Sequence, residues 1–228
     1  VGNADLDAER TVMYELGIQQ QLTSSMYIHV TGFYRDIRDW VGSGALQQTD
    51  RTSYDKYINK DYASSEGLTI SGAYNKGPLN VNIDYTYMLA QGTASNPLDA
   101  FYLSQSGGAP RVQMIPLGWD RRHSLNIQAR YRYQAWSGSM IGSLLSGLPY
   151  TPQIIAGEAT GAGTTKDLKV NSERQPTAIN VDMRLSRHLK FGAVRGELFF
   201  NVFNLFDLRN SRYVYADTGL PDITLSQQ

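Results

Sequence analysis

Cysteine is absent from this chain of 228 residues, which removes a disulfide framework and any thiolate metal site. An excess of one charge is missing too. Lys and Arg number 21, Asp and Glu number 21, and the formal net charge is zero, so nothing in the overall balance attracts nucleic acid. No run of 18 apolar residues occurs, which excludes a transmembrane helix. The amino terminus, Val1-Gly2-Asn3-Ala4-Asp5, has no basic stretch followed by an apolar one, so it does not read as a secretory signal; for an outer-membrane protein the expectation is that one was processed away or that the chain begins mid-protein. Charged residues make up only 18% of the chain, against 15 tyrosines and 21 glycines, a composition that favours strands and turns over helices.

What the sequence does have is alternation with a period of two. Val81, Ile83, Tyr85, Tyr87 and Leu89 alternate with Asn82, Asp84, Thr86, Met88 and Ala90. Leu125, Ile127, Ala129, Tyr131 and Tyr133 alternate with Ser124, Asn126, Gln128, Arg130 and Arg132. Ile179, Val181, Met183 and Leu185 alternate with Asn180, Asp182, Arg184 and Ser186. Successive side chains of a strand point to opposite faces, so each run predicts a strand with one apolar and one polar face. Val12 to Gln20, Met26 to Tyr34 (with Phe33 on the polar side) and Leu68 to Tyr74 fit the pattern less cleanly. Trp136 to Leu145 and Glu197 to Phe206 read as strands whose facing the sequence leaves open. The total is about eight strands, with Glu15, His29, Arg35, Asp84, Arg130, Arg132, Asp182 and Arg184 among the polar-face residues.

The connections sharpen this. Residues 21–25, 75–80, 134–137 and 187–195 are short and contain turn formers. Those between them, 42–53, 90–121 and 151–175, are long and rich in Gly, Ser, Thr, Asp and Gln. Strict alternation of short and long connections suits an up-and-down barrel with tight periplasmic turns and long extracellular loops. A soluble sandwich has mixed turns at both ends, and long structureless loops are uncommon in a compact soluble domain. Tyr34, Trp40, Tyr85, Tyr87, Tyr131, Tyr133 and Trp136 fall toward strand ends, where rings with one apolar and one hydrogen-bonding edge suit a membrane interface. Strand propensity alone also accounts for aromatics there, and alternation alone states only that the sheet is amphipathic. The order of the loops is what selects a barrel.

Five segments then resemble the carboxy-terminal half of TonB-dependent outer-membrane receptors. Asn3-Ala4-Asp5-Leu6-Asp7-Ala8-Glu9-Arg10 with Tyr14-Glu15-Leu16-Gly17 resembles the family's N-P-x-L-x-P-E stretch and following strand, with Ala4 and Ala8 where prolines are usual. Phe33-Tyr34-Arg35-Asp36-Ile37-Arg38-Asp39 is similar to F-Y-x-D-I-x-D. Trp119-Asp120-Arg121-Arg122-His123-Ser124-Leu125-Asn126 resembles W-D-x-x-H-s-l-n. Ser146-Gly147-Leu148-Pro149-Tyr150-Thr151-Pro152 and Asn201-Val202-Phe203-Asn204-Leu205-Phe206-Asp207 match two more signatures in the family's order. The resemblance implies the cell outer membrane, a 22-stranded barrel with an amino-terminal plug, and import of a bulky nutrient driven by an inner-membrane TonB complex. It further implies that residues 1–228 are a partial barrel domain covering roughly strands 14 to 21, without plug or terminal strand. A passive porin, an adhesin-like barrel and a soluble β-sandwich binding module are the competing expectations.

No motif for catalysis is present. His29, His123 and His188 are far apart and lack ligand spacing such as H-E-x-x-H. Asp36, Asp39, Asp50 and Asp55 offer oxygens to a cation but read more simply as solvated loop charge. The stretch Gly157 to Lys166 lacks the G-K-[ST] order of a phosphate loop, and no G-x-S-x-G occurs. The expectation is no enzyme, no cofactor and no bound metal, with outer-membrane lipid, the solute and the TonB complex as partners. Tyr102, Arg111, Trp119 and Tyr150 are the candidate ligand contacts, because aromatics and Arg anchor binding surfaces; loop packing is the plainer alternative for each.

Overall fold

Each of the eight segments read as a strand falls on one in the computed structural model, which describes residues 2–43, 47–48, 53–54, 56–94, 113–152 and 170–222. In chain order the strands are β1 (Arg10–Thr23), β2 (Met26–Ser43), β3 (Gln47–Gln48), β4 (Ser53–Tyr54), β5 (Tyr57–Lys76), β6 (Leu79–Gly92), β7 (Ile115–Pro116), β8 (His123–Tyr133), β9 (Trp136–Leu145), β10 (Pro149–Tyr150), β11 (Glu173–Arg174), β12 (Ala178–Phe191) and β13 (Val194–Val202). Among the described residues there is no helix. The eight long strands form one antiparallel meander in the order β1-β2-β5-β6-β8-β9-β12-β13, and β7 adds to β6. β3 pairs with β4, and β10 with β11, as separate two-stranded ribbons in the long connections.

The turns between long strands are of two kinds. At one end Gly77, Gln134 and Gly192 each open a two-residue loop with φ of 55°, 51° and 59°. A positive φ at this first position is what a type II′ hairpin turn needs, and it matches the natural twist of the flanking strands. At the other end the chain leaves the sheet through the long connections. The short-long order therefore corresponds to two physical rims, a tight one and a long-loop one.

Register fixes the facing of every strand, because residues directly opposite in an antiparallel pair share a face. One row runs Ile18, Val30, Ile70, Tyr85, Leu125, Leu144, Ile179 through successive pairings. The next row, one residue along, runs Gln19, His29, Ser71, Asp84, Asn126, Ser143, Asn180. Seven strands agree residue for residue. The same pairings settle β9 and β13. Trp136, Met140 and Leu144 lie on the apolar face with Ser137, Ser139 and Ser143 opposite, and Leu198, Phe200 and Val202 continue the apolar face with Phe199 and Glu197 behind.

The apolar face is not turned inward onto a core. On strands flanked on both sides, Tyr131 is 50% exposed, Met140 44%, Ile83 42% and Leu185 42%, a contiguous open apolar face larger than a water-soluble monomer carries. The buried apolar cluster is small: Ala63, Ala90 and Leu117, with Ile37 and Trp40 packed on it. It sits on the polar side at the long-loop rim. Among the described residues β1 pairs only with β2 and β13 only with β12, so the sheet is an open section of wall.

Candidate functional site

Two features of this wall can do work: its polar face, and the rim where the long connections leave it. On the polar face every residue that alternation placed there shares one side by register: Glu15, His29, Arg35, Asp84, Arg130, Arg132, Asp182 and Arg184. Neighbours satisfy many of them. Ser71 Oγ donates to Asp84 Oδ1 at 2.7 Å, and the Thr69 and Thr86 hydroxyls lie 3.3 Å apart. Thr31 Oγ1 and His29 Nε2 are 3.0 Å apart. Phe33, an aromatic on the polar side of β2, lies over Gly67, where a Cβ would strike its ring and the Tyr87 carbonyl. A missing side chain on β5 thus makes room for a ring on a polar face.

The rim is built around Asp120. Its carboxylate is fully buried and takes Arg122 Nε at 2.9 Å, Arg174 Nη2 and the Ala90 backbone N–H at 2.9 Å. Arg174 also donates to the Asp120 and Gly147 carbonyls at 2.8 and 3.2 Å. Arg121 donates to the Ser146 carbonyl at 2.6 Å, and the His123 backbone N–H to Ser146 Oγ at 2.9 Å. A Cβ on Gly147 would run into the Gln175 carbonyl, so the strand exit requires glycine there. Asp120 thereby ties β6, the start of β8, the exit of β9 and β11 into one knot.

The other signature segments act likewise on the backbone. Asn204, with φ of 51°, ends β13. Its N–H donates to Asp182 Oδ1 at 2.8 Å, and its side chain bonds the Leu208 N–H and carbonyl at 2.9 and 3.1 Å. The strand expected over 197–206 therefore stops at Val202. Asp39, with φ of 59°, opens a bulge in β2, and Asn59 Nδ2 holds its carbonyl at 2.6 Å. Asp7 N–H donates to Asn59 Oδ1 at 2.8 Å, which brings the first signature to the same place.

That bulge moves one of the seven strand-end aromatics. Trp40 is carried to the polar side, opposite Asp61, and packs on Ala63, Ala90 and Leu117, whereas uninterrupted alternation places it beside Tyr34. The other six lie on the apolar face in two groups. Tyr34 is 3.3 Å from Tyr62 through their hydroxyls and 6.5 Å from the Tyr14 ring. Tyr85 bonds His123 Nδ1 at 2.8 Å, with Tyr87 packed on the same imidazole at 5.4 Å. Tyr131, Tyr133 and Trp136 gather at the tight-turn rim, where Arg187 lies 5.1 Å over the Trp136 ring.

Of the four candidate ligand contacts, Tyr102 and Arg111 lie outside the described residues. Trp119 is 41% exposed in the turn between the buried Leu117 and Asp120. Tyr150 pairs with Glu173 on β11, beside Arg174, and burial followed by the Glu173 charge raises its phenol above the ordinary range. Both adjoin the Asp120 knot, Trp119 as the residue before Asp120 and Tyr150 through the strand that carries Arg174. In the sequence Asp120 stands out only as part of a signature, and Arg174 carries no signal of its own. The pair lies 54 residues apart, beyond the reach of any local pattern. For cations, Asp36 is engaged by Arg38 at 2.8 Å, and Asp50, Asp55 and the stretch 157–166 lie outside the described residues. Among the described residues no group of three or more His, Asp or Glu is arranged to hold a metal ion.

Comparison with known proteins places this wall in context. The family model described as "TonB dependent receptor-like, beta-barrel" matches residues 1–205. No curated protein matches the sequence. Among solved structures, the outer membrane transporter YddB from Escherichia coli is similar over 90% of this chain and 29% of its own, with TM-score 0.66 and 14% identity. The ferric-catecholate import receptor Fiu from the same organism is similar over 90% and 24%, with TM-score 0.58 and 18% identity. The ferric yersiniabactin uptake receptor FyuA from Yersinia pestis is similar over 91% and 26%, with TM-score 0.54 and 19% identity. The chain thus spans less than a third of the length of each, and at these identities the likeness establishes the fold.

Proposed function

Because the chain belongs to the TonB-dependent receptor β-barrel family of the outer membrane, we propose that it is a section of wall in a plugged receptor that imports a bulky nutrient. Siderophore, cobalamin, glycan and peptide are the solute classes, and the TonB complex, contacted through a region amino-terminal to the barrel, supplies the energy. The observation that carries this reading is the pair of rows one residue apart, seven apolar side chains beside seven polar ones. The apolar row meets lipid and the polar row meets a wet lumen, as a transmembrane barrel requires. Strand edges do not stand open in a membrane, so β1 and β13 pair with further strands of a larger cylinder.

The aromatic groups fit this placement. His123 to Tyr133 on β8 is 11 residues, about 33 Å along the strand and about 25 Å in height once tilted by about 40°. That is close to the apolar band of outer-membrane barrels, about 25 Å tall between its two girdles. Tyr34, Tyr85 and Tyr87 then mark the outer interface, and Tyr131, Tyr133 and Trp136 the inner one. Trp119 and Tyr150, fixed by the Asp120 knot, and Tyr102 and Arg111 in the long connection offer aromatic and cationic contacts to the arriving solute.

Uptake by cells carrying the full-length protein tests the reading. Accumulation of a ferric siderophore, cobalamin, glycan or peptide from a panel is expected to cease when the TonB complex is removed. Passage that persists without it would favour a passive barrel.

A further inference from the structure

The polar face is electrically lopsided. In its tight-turn half, β8, β9, β12 and β13 place Arg130, Arg132, Arg184, Lys190 and Arg195 on one side, with His188 among them. Asp182 and Glu197 are the carboxylates on that stretch, so three positive charges stand uncompensated. Glu197 is engaged by Arg184 at 3.4 Å, and Asp182 holds the Asn204 backbone N–H. Across the same half of β1, β2, β5 and β6 the facing residues are Gln19, Gln21, Tyr27, His29, Ser71, Ala73, Asn75, Asn80, Asn82 and Asp84, a stretch with no Lys or Arg. Lys190 and Arg195 sit directly opposite each other, a like-charge pair that destabilises a sheet left to itself. Among the described residues Arg130, Arg132, Lys190 and Arg195 take part in none of the ion pairs.

The patch covers four neighbouring strands, about 15 Å across at ~4.8 Å per strand, and is longer than that along them. Such a spread is too broad for one phosphate or carboxylate and matches a protein surface. Close like charges carry a cost that an opposite surface removes and that water only screens. We infer that the β8–β13 stretch of the polar face is the seat of an acidic surface on the folded domain that fills the lumen. The β1–β6 stretch, whose one carboxylate is Asp84 and which has no Lys or Arg, carries no comparable attraction. The inference rests on the plugged-receptor reading, and it adds to that reading which part of the wall holds the plug and by what charge.

The test uses the full-length protein in outer-membrane vesicles. Arg130→Glu, Arg132→Glu and Arg195→Glu are combined, and proteolysis of the lumenal domain is followed while the heat-dependent gel shift reports the barrel. The lumenal domain is expected to be cut about tenfold faster, because like-charge contacts now face its acidic surface. Carboxylates added on β1–β6, Gln19→Glu with Asn82→Glu, should leave the rate unchanged. If the triple variant fails to assemble, the wild type decides: raising salt from about 0.05 M to about 1 M should hasten cleavage, since the Debye length falls from above 10 Å to about 3 Å. Unchanged cleavage in the variant or in salt overturns the inference, as does reduced uptake of an anionic solute with cleavage unchanged. A full-length protein with no lumenal domain would instead remove the plugged-receptor reading itself.

Discussion

The wall of the sheet and its long-loop rim solve the same problem, polar groups beside apolar ones, in opposite ways. Along the wall, separation is geometric. Leu125 and Asn126 are neighbours in sequence, yet one joins a row of seven apolar residues and the other a row of seven polar ones. Neither needs a specific partner, because its surroundings match its chemistry. At the rim the chain leaves the pleat and that separation fails. Asp120 is then buried beside Leu117 and is held by two guanidiniums and a backbone N–H. A wall residue can be exchanged for another of its class, whereas the rim depends on particular partners.

This contrast can be broken by measurement, and the largest effect is expected at the rim. In the full-length assembled protein, Asp120→Ala leaves Arg122 and Arg174 without their counter-charge and should cost about 3–5 kcal/mol, read as the shift of a reversible urea unfolding curve. Next comes the wall's outward row. Val181→Arg places a charge against lipid and should cost about 2–4 kcal/mol if near the midplane, while Asp182→Arg, one residue along, should cost about 1 kcal/mol through the lost acceptor for Asn204. If Asp182→Arg proved the more damaging of the two, the facing assignment would be wrong. The Arg184–Glu197 pair is exposed on the inner face, so a double-mutant cycle should return little coupling, and less still in high salt.

The smallest effect concerns Tyr150. Its phenol keeps its proton to higher pH when folded than the ordinary value of 10.0, because burial and then Glu173 oppose the phenolate. The stability this lends is complete below about pH 10 and is lost as pH climbs through the raised value. Tyr150→Phe should flatten that loss, seen as a difference between the two proteins in unfolding above pH 10.

How much of this was legible in the residues follows from the same contrast. Where large apolar side chains alternate with Asn, Asp, Gln or Arg, as on β6 and β8, facing was readable and the register agrees. It was not readable on β9, where Ser137, Gly138, Ser139, Gly142 and Ser143 differ too little in size and polarity to show two sides. On β13 the consecutive Phe199 and Phe200 hide the alternation in the same way. Trp40 went astray because a single left-handed residue, Asp39, inverts parity without changing composition. The Asp120–Arg174 knot left no pattern, since ion pairing across 54 residues has no period. Five signatures were visible as strings, but only coordinates show that their roles are to end strands and fasten loops.

The sheet's two-sidedness can be probed directly because residues 1–228 contain no cysteine, so single Cys variants label one site in this segment. Nitroxides at positions 125 and 126 of the full-length protein in lipid vesicles would be relaxed by dissolved oxygen and by a water-soluble nickel chelate. The account predicts that oxygen dominates at 125 and the chelate at 126. Dominance of the chelate at both positions, or the reverse order, would contradict it.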